Sequence, residues 1–227
     1  MGTQANPPMP TAGEHPKLTG SGWDASWNPN LAVNTVQVVA GLKCSPTQTW
    51  TDQPGDNEDR PINCLTWYEA MAFCMWDGGY LPSEAEWNYA AAGGDLQRAY
   101  PWSSRAAPLV LDGSHASYND GTDCVGDGMA KCLLTDLVVV GSKPLGDGRW
   151  GHSDLAGNVF EWTLDWYAAV YPNPCADCAE LIAGPTRGIR GGSYLDTATY
   201  QRTGARNYDG PANRVDYVGV RCARSAP

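Results

Sequence analysis

Two acidic residues, Asp154 and Glu161, lie seven residues apart around Gly157 in the segment DLAGNVFE. Their carboxylates flank a run of backbone carbonyls, and calcium takes about six to eight oxygen ligands of these two kinds. The segment could therefore hold a calcium ion. The alternative is a tight turn whose two carboxylates only accept hydrogen bonds from nearby backbone amides.

Eight cysteines form the second group that could carry chemistry. Only Cys175 and Cys178 are close in sequence, and His15, His115 and His152 are isolated, whereas zinc sites need close pairs of ligands. The even, scattered set favours four disulfides in an exported protein over a reduced or metal-binding one. A redox Cys-x-x-Cys motif is the alternative for the close pair, although no βαβ unit surrounds it.

Composition excludes several classes of protein. The net charge is -10 and the 15 Lys and Arg residues form no basic run, so we expect no nucleic-acid partner. No apolar stretch approaches about 18 residues, so we expect no transmembrane segment. The cysteines favour a secreted or extracytoplasmic protein. Residues 1–4 lack the basic residues and the apolar run with which a signal peptide begins. We therefore expect the signal peptide of this protein to be outside this chain.

Three short helices are predicted from N-cap residues, two of which have the capping-box acid three positions later. They should span residues 34–43, 66–76 and 83–92 and start at Asn34, Thr66 and Ser83. Glycines follow the second and third helices, where they can adopt the left-handed conformation that ends a helix. On the second helix, Ala70, Phe73 and Cys74 should lie on one face, together with Trp67.

The rest of the chain predicts short strands and many turns. Strand candidates are residues 137–140, 187–194 and 215–222. Residues 1–29 predict an extended N-terminal arm anchored by Trp23 and Trp27, and residues 30–227 predict one domain. Few long elements with many turns indicate an α+β fold with much irregular structure.

Several motifs then occur in a specific order. They are PINCLTW at residues 61–67, AFC at 72–74, GYLPSEAEWNYAA at 79–91, YPW at 100–102, DLAGNVFEW at 154–162, RGGSY at 190–194 and VGVR at 218–221. Over residues 60–224 this string resembles the formylglycine-generating-enzyme, or sulfatase-modifying-factor, domain family. The resemblance implies an α+β, C-type-lectin-like fold of the formylglycine-generating-enzyme type.

The resemblance also implies calcium sites. In the first, Asp154 and Glu161 would contribute their side chains, and Gly157 and Val159 would contribute their backbone carbonyls. A second family site would fall near Asn119 and Asp120, where the loop to Cys132 disturbs the spacing.

A long-range disulfide between Cys74 and Cys222 is likewise implied by the resemblance. The remaining six cysteines pair most simply with their neighbours in sequence: Cys44 with Cys64, Cys124 with Cys132, and Cys175 with Cys178.

The pair of copper-binding cysteines of the family enzyme is missing from this sequence. That enzyme oxidises a cysteine of a sulfatase peptide to formylglycine, using copper held by two cysteines that follow the Gly-Gly-Ser strand. The matching positions here are Asp196 and Gln201, so we expect no copper, because Cu(I) selects soft thiolate ligands. The related iron-dependent sulfoxide synthases need a histidine cluster from an additional helical domain, and three isolated histidines do not supply it.

Binding is therefore the leading hypothesis. The fold also serves as a scaffold whose last strands and loops display variable residues, and residues 194–217 have the Tyr-, Asp-, Asn- and Arg-rich composition of an adaptable surface. The predicted ligand groove comprises Tyr194, Asp196, Gln201, Arg202, Arg206, Tyr208, Asp209, Arg214 and Tyr217. Its partner would be a protein, peptide or glycan. Two alternatives stay open: an enzyme of this superfamily with altered metal or chemistry, and a structural or assembly protein.

Overall fold

The computed structural model describes residues 2–104, 110–171 and 174–225. Three α-helices precede all the strands: α1 (Thr35–Leu42), α2 (Trp67–Trp76) and α3 (Glu84–Ala92). Four strands follow: β1 (Phe160–Trp166), β2 (Arg187–Arg190), β3 (Asn207–Asp209) and β4 (Val218–Val220). Short 3-10 turns at Ala25–Asn30, Gly94–Leu96, Leu134–Asp136 and Pro144–Gly146 lie in the long connections. The fold is α+β with one small sheet, as predicted.

The three predicted helices form because each has its own cap. Asn34 accepts a hydrogen bond from the Gln37 amide, and Thr66 and Ser83 each form a complete capping box. Gly93 ends α3 in the left-handed conformation, with φ of 68°. Local chemistry therefore determines where all three helices begin.

The sheet has the strand order β3-β2-β1-β4. Strands β1 and β2, and β2 and β3, pair antiparallel, whereas β4 joins β1 in parallel. The strand predicted over residues 187–194 is shorter, because Gly191 and Gly192 both have positive φ angles after Arg190. The strand predicted over residues 215–222 is reduced to the three residues of β4.

The strand predicted over residues 137–140 is wrong. Leu137 and Val138 are buried there, but outside any strand, directly after a 3-10 turn. The turn is held by the buried carboxylate of Asp136, which accepts hydrogen bonds from the amides of Gly126, Asp127 and Leu133. The Asp136 side chain thus accepts the hydrogen bonds of these backbone amides. In a strand, the carbonyls of a neighbouring strand would accept them.

The core lies between α2 and the sheet. It contains Trp67, Met71, Trp162, Ile189 and Val218. Phe73, also on α2, is 45% exposed. Its neighbours Ala70 and Cys74 are buried.

The N-terminal arm belongs to the same core. Trp23 is buried and packs edge-to-face against Trp27, which in turn packs edge-to-face against Trp67 of α2. The guanidinium of Arg187 lies 3.6 Å from the ring centres of both Trp67 and Trp166. The two predicted tryptophan anchors therefore connect the arm to the sheet.

Four disulfides connect the loops to this core. They join Cys44 to Cys64, Cys74 to Cys222, Cys124 to Cys132 and Cys175 to Cys178, which is the predicted pairing. In the described part of the chain, no helix is both long and apolar enough to cross a bilayer.

Candidate functional site

The predicted calcium segment is a tight loop that leads into β1. Asp154, Gly157 and Asn158 all have positive φ angles. A Cβ atom on Gly157 would lie 2.2 Å from the Ser117 carbonyl oxygen, so this position requires glycine. The Gly157 amide donates to the Gly191 carbonyl, which holds the loop against the Gly-Gly turn after β2.

Glu161 in β1 already has strong partners. Its carboxylate accepts hydrogen bonds from Arg221, with a shortest N–O distance of 2.6 Å, and from the Trp87 indole at 2.7 Å. Only 6% of the Glu161 side chain is exposed. A calcium ion that used Glu161 would have to share this carboxylate with a guanidinium group.

Asp154 is better placed as a calcium ligand. Its Oδ2 accepts a hydrogen bond from the Gly141 amide at 2.7 Å. Burial raises the pKa of Asp154, and the negative charges of Glu161 and Asp147 raise it further. Asp147 Oδ1 is buried and has no hydrogen-bond partner among the described residues. Because Glu161 is already paired with Arg221, a divalent cation near Asp154 would compensate only the half-buried carboxylates of Asp154 and Asp147.

The described residues contain no cluster of three or more His, Cys, Asp or Glu side chains at metal-binding geometry. A calcium ion at this loop would therefore rest on Asp154 and on the backbone carbonyls of Gly157 and Val159 more than on Glu161. These groups supply fewer oxygens than the about six to eight that calcium takes, so the calcium site stays a prediction.

The second predicted calcium position is built as a turn. Asn119 Oδ1 accepts from the Gly121 amide at 2.8 Å, and Asp120 Oδ1 accepts from the Thr122 and Asp123 amides. Hydrogen bonds from Thr122 and Asp123 lower the pKa of Asp120. Both side chains thus have local backbone partners. Such partners are typical of turn-forming residues, and the second calcium site stays a prediction.

If calcium binds at Asp154, it should raise the free energy of unfolding. With calcium at about a hundred times its dissociation constant, mass action adds about 2.7 kcal/mol to the free energy of unfolding. Asp154→Asn should abolish this gain, because the ligand charge is lost. The measurement is denaturant unfolding with calcium or with EDTA. Asp177→Asn, at an exposed carboxylate paired with Lys17, is the control and should respond to calcium like the unmodified chain. An equal response of Asp154→Asn would contradict the site.

The predicted ligand groove is only partly exposed. Tyr194 and Gln201 are buried, which corrects their assignment as ligand contacts. The Gln201 amide donates to the backbone carbonyls of Ser193 and Asp196, at 3.2 and 2.9 Å. Gln201 therefore supports the turn after β2 from inside the molecule.

Two of the predicted groove arginines are held in ion pairs. Arg206 binds the buried carboxylate of Glu84, with Nη2 at 2.5 Å from Oε2, and its guanidinium lies over the rings of Tyr167 and Tyr171. Arg214 donates to Glu69 Oε1 at 2.5 Å and to the Cys64 carbonyl at 2.9 Å. Both arginines have structural contacts that a ligand would have to replace.

Of the remaining predicted residues, Tyr208 and Asp209 belong to the edge strand β3, whereas Asp196, Arg202 and Tyr217 lie outside the strands. Asp196, Asp209 and Tyr217 are half-buried. Tyr208 is 52% exposed, and its ring centre is 4.5 Å from that of Tyr167. Burial raises the pKa of Tyr217, and the negative charges of Asp209 and Asp196 raise it further. Arg202 is exposed. We call Asp196, Arg202, Tyr208, Asp209 and Tyr217 the β3 patch.

Sequence patterns did not indicate the buried ionic network beneath this patch. Glu84 at the start of α3 faces both Arg206 and Arg190, and its amide donates to Asp165 at 2.7 Å. Burial raises the pKa of Asp165 to about 6. The one feature of the sequence that could have indicated this network is the segment RGIRGGS. It places two arginines, Arg187 and Arg190, in a buried strand, where arginine is unusual.

Comparison with known proteins agrees with this architecture. Residues 14–226 match the family model described as Sulfatase-modifying factor enzyme 1-like domain. The formylglycine-generating enzyme of Streptomyces coelicolor is 34% identical over 179 residues, which cover 74% of this chain and 54% of that protein. The chain thus spans about half the length of this relative. The formylglycine-generating enzyme of Thermomonospora curvata is 33% identical over 225 residues, with 89% and 72% covered. The Mus musculus protein named inactive C-alpha-formylglycine-generating enzyme 2 is 33% identical, with 73% and 49% covered.

Two solved structures have a similar fold. PvdO from Pseudomonas aeruginosa superposes with a TM-score of 0.61 at 25% identity, covering 77% of this chain and 64% of that one. Treponema denticola variable protein 1 superposes with a TM-score of 0.57 at 23% identity, covering 80% and 77%. The fold, the motifs and the relatives agree, and the chain belongs to the sulfatase-modifying factor enzyme 1-like domain family.

Proposed function

We propose that this chain is a non-catalytic member of its family, which acts outside the cytoplasm as a calcium-stabilised module that binds a protein, peptide or glycan. The β3 patch is its ligand surface. Calcium at Asp154 supplies structural stability to the loop before β1.

The state of the cysteines carries the non-catalytic part of the proposal. All eight are described, and each is in a disulfide, so none is a free thiol. The two positions that match the copper-binding cysteines hold Asp196 and Gln201, and Gln201 is fully buried. Copper oxidation by the family route needs two thiolates there. A mouse relative of similar identity bears the name of an inactive enzyme, which supports the same conclusion.

The β3 patch supports the binding part. It combines an exposed tyrosine, a second tyrosine, two carboxylates and an arginine, a composition that binds varied partners at low entropic cost. The buried network of Glu84 and Arg206 fixes the backbone beneath it. Four disulfides are typical of an oxidising compartment, which supports a location outside the cytoplasm.

The catalytic test uses copper(I) and a sulfatase peptide that contains the target cysteine. We expect no formylglycine by mass spectrometry and no stoichiometric copper after dialysis, whereas the Streptomyces coelicolor enzyme converts the same peptide. Formylglycine formed by this chain would contradict the proposal.

The binding test uses arrays of glycans and peptides with the calcium-loaded protein. Tyr208→Ala and Arg202→Ala should each weaken the recognised ligand by about tenfold, which corresponds to about 1.4 kcal/mol. Tyr89→Ala is the matched control, since Tyr89 is 59% exposed and lies on α3, outside the patch. Equal binding by the patch variants and the control would contradict the β3 patch as the ligand surface.

A further inference from the structure

A cavity of about 640 Å³ lies between α1, α2 and the loop that connects them. Its apolar lining comes from Val38 and Leu42 of α1, from Ile62 and Leu65 of the loop, and from Ala72 of α2. This volume lies within the range of small-molecule sites, about 300–1,000 Å³. None of the residues predicted for the ligand groove lines it.

Three aromatic residues line the cavity. Phe73 and Trp76 lie one turn apart on α2 and are 45% and 66% exposed, with ring centres 5.8 Å apart. Trp50 lines the same space, and its indole donates to Asp52 Oδ1 at 3.1 Å. Exposed aromatic rings around an apolar floor indicate a surface that a ligand covers.

Three acids and one base line the cavity: Asp52, Glu58 and Glu69, and Arg60. Glu69 is paired with Arg214. Residues 52–59 contain four acids and no base. Asp52 pairs with Lys43 at 2.6 Å. No described lysine or arginine lies within ion-pair distance of Asp56, Glu58 or Asp59.

The one basic residue in the lining is Arg60. Its Nη1 donates to the backbone carbonyl of Leu137 and makes a longer contact, of 3.5 Å, with that of Thr135. The guanidinium is therefore held at the 134–138 segment by neutral carbonyls, and it keeps its positive charge. The negative charge of Glu58, which lines the cavity, is left without a cationic partner among the described residues.

We propose that this cavity binds an organic cation with an apolar body, such as an alkyl- or arylammonium group. The ammonium would lie against the faces of Trp50 and Trp76, which attract a cation through their ring quadrupoles. Glu58 would add Coulombic attraction, and the apolar body would displace water from the floor. This site is independent of the β3 patch, and it stands whether or not the patch binds a ligand.

The test is titration with benzyltrimethylammonium, followed by tryptophan fluorescence and calorimetry. Benzyl alcohol and benzenesulfonate serve as neutral and anionic probes with the same ring. We expect saturable binding of the cation, at least tenfold weaker binding of the neutral probe and none of the anion. The cation affinity should fall with added salt.

Two variants locate the site. Trp76→Ala should weaken the cation about tenfold, and Glu58→Gln should weaken it about threefold while leaving benzyl alcohol unchanged. Trp150→Ala is the control, because Trp150 is 45% exposed and does not line the cavity. Trp76 is mostly exposed, so its variant should stay folded, and a melting curve checks this.

Three results would overturn the proposal. The first is equal affinity for benzyltrimethylammonium and benzenesulfonate. The second is no saturation by the cation at millimolar concentration. The third is a folded Trp76→Ala variant that binds the cation like Trp150→Ala.

Discussion

Replacing Cys74 and Cys222 by alanine should lower the free energy of unfolding by about 5 kcal/mol. The two cysteines are 148 positions apart, so their bridge closes most of the chain into one loop. The loss of chain entropy in the unfolded state grows with the logarithm of loop length, and a loop of this size lies at the upper end of the range. Cys74 is also fully buried on α2, where it packs in the main core.

The bridge between Cys175 and Cys178 provides a matched control. It closes a loop with a sequence separation of 3, for which the same relation gives about 2 kcal/mol. Urea denaturation of both double-alanine variants, under non-reducing conditions, measures the two effects. Equal losses in the two variants would contradict an effect determined by loop length.

Some parts of the fold could be predicted because their signals are local. The helix starts at Asn34, Thr66 and Ser83 follow from cap residues and their partners three positions later. The ends of the strands could not be predicted in this way. Strand β1 is buried along its whole length, so it lacks the alternation of apolar and polar residues that indicates a strand. Strand β3 is only three residues long.

The candidate site shows the same limit. The spacing of Asp154 and Glu161 indicated a calcium loop, but it gave no sign of Arg221, which approaches Glu161 from 60 positions away and occupies its carboxylate. Composition likewise indicated a surface over residues 194–217. It could not indicate that Tyr194 and Gln201 are buried, because burial depends on which residues pack against them. Partners distant in sequence decide what a polar side chain is free to bind.

Glu84 is the clearest case of such a partner. Its replacement should cause the second large loss of stability. Its side chain is 2% exposed, and its carboxylate faces Arg206 at 2.5 Å and Arg190 at 3.8 Å. Arg190 is also buried, with its guanidinium over the Trp87 ring. Glu84→Gln keeps the shape of the side chain but removes the charge that compensates these two cations. Breaking a buried pair in this way costs about 3 to 5 kcal/mol, because a charge remains in a medium of low polarity.

Asp77→Asn is the matched control for Glu84→Gln. It removes a carboxylate from an ion pair with Arg224 in which both side chains are exposed. Water and salt screen such a pair, so we expect a loss of at most about 1 kcal/mol. Urea denaturation at neutral pH compares the two variants. If Glu84→Gln lost no more stability than Asp77→Asn, the Glu84 network would not hold the backbone beneath the β3 patch. The patch would then need another source of rigidity, since its edge strand has only one neighbour in the sheet.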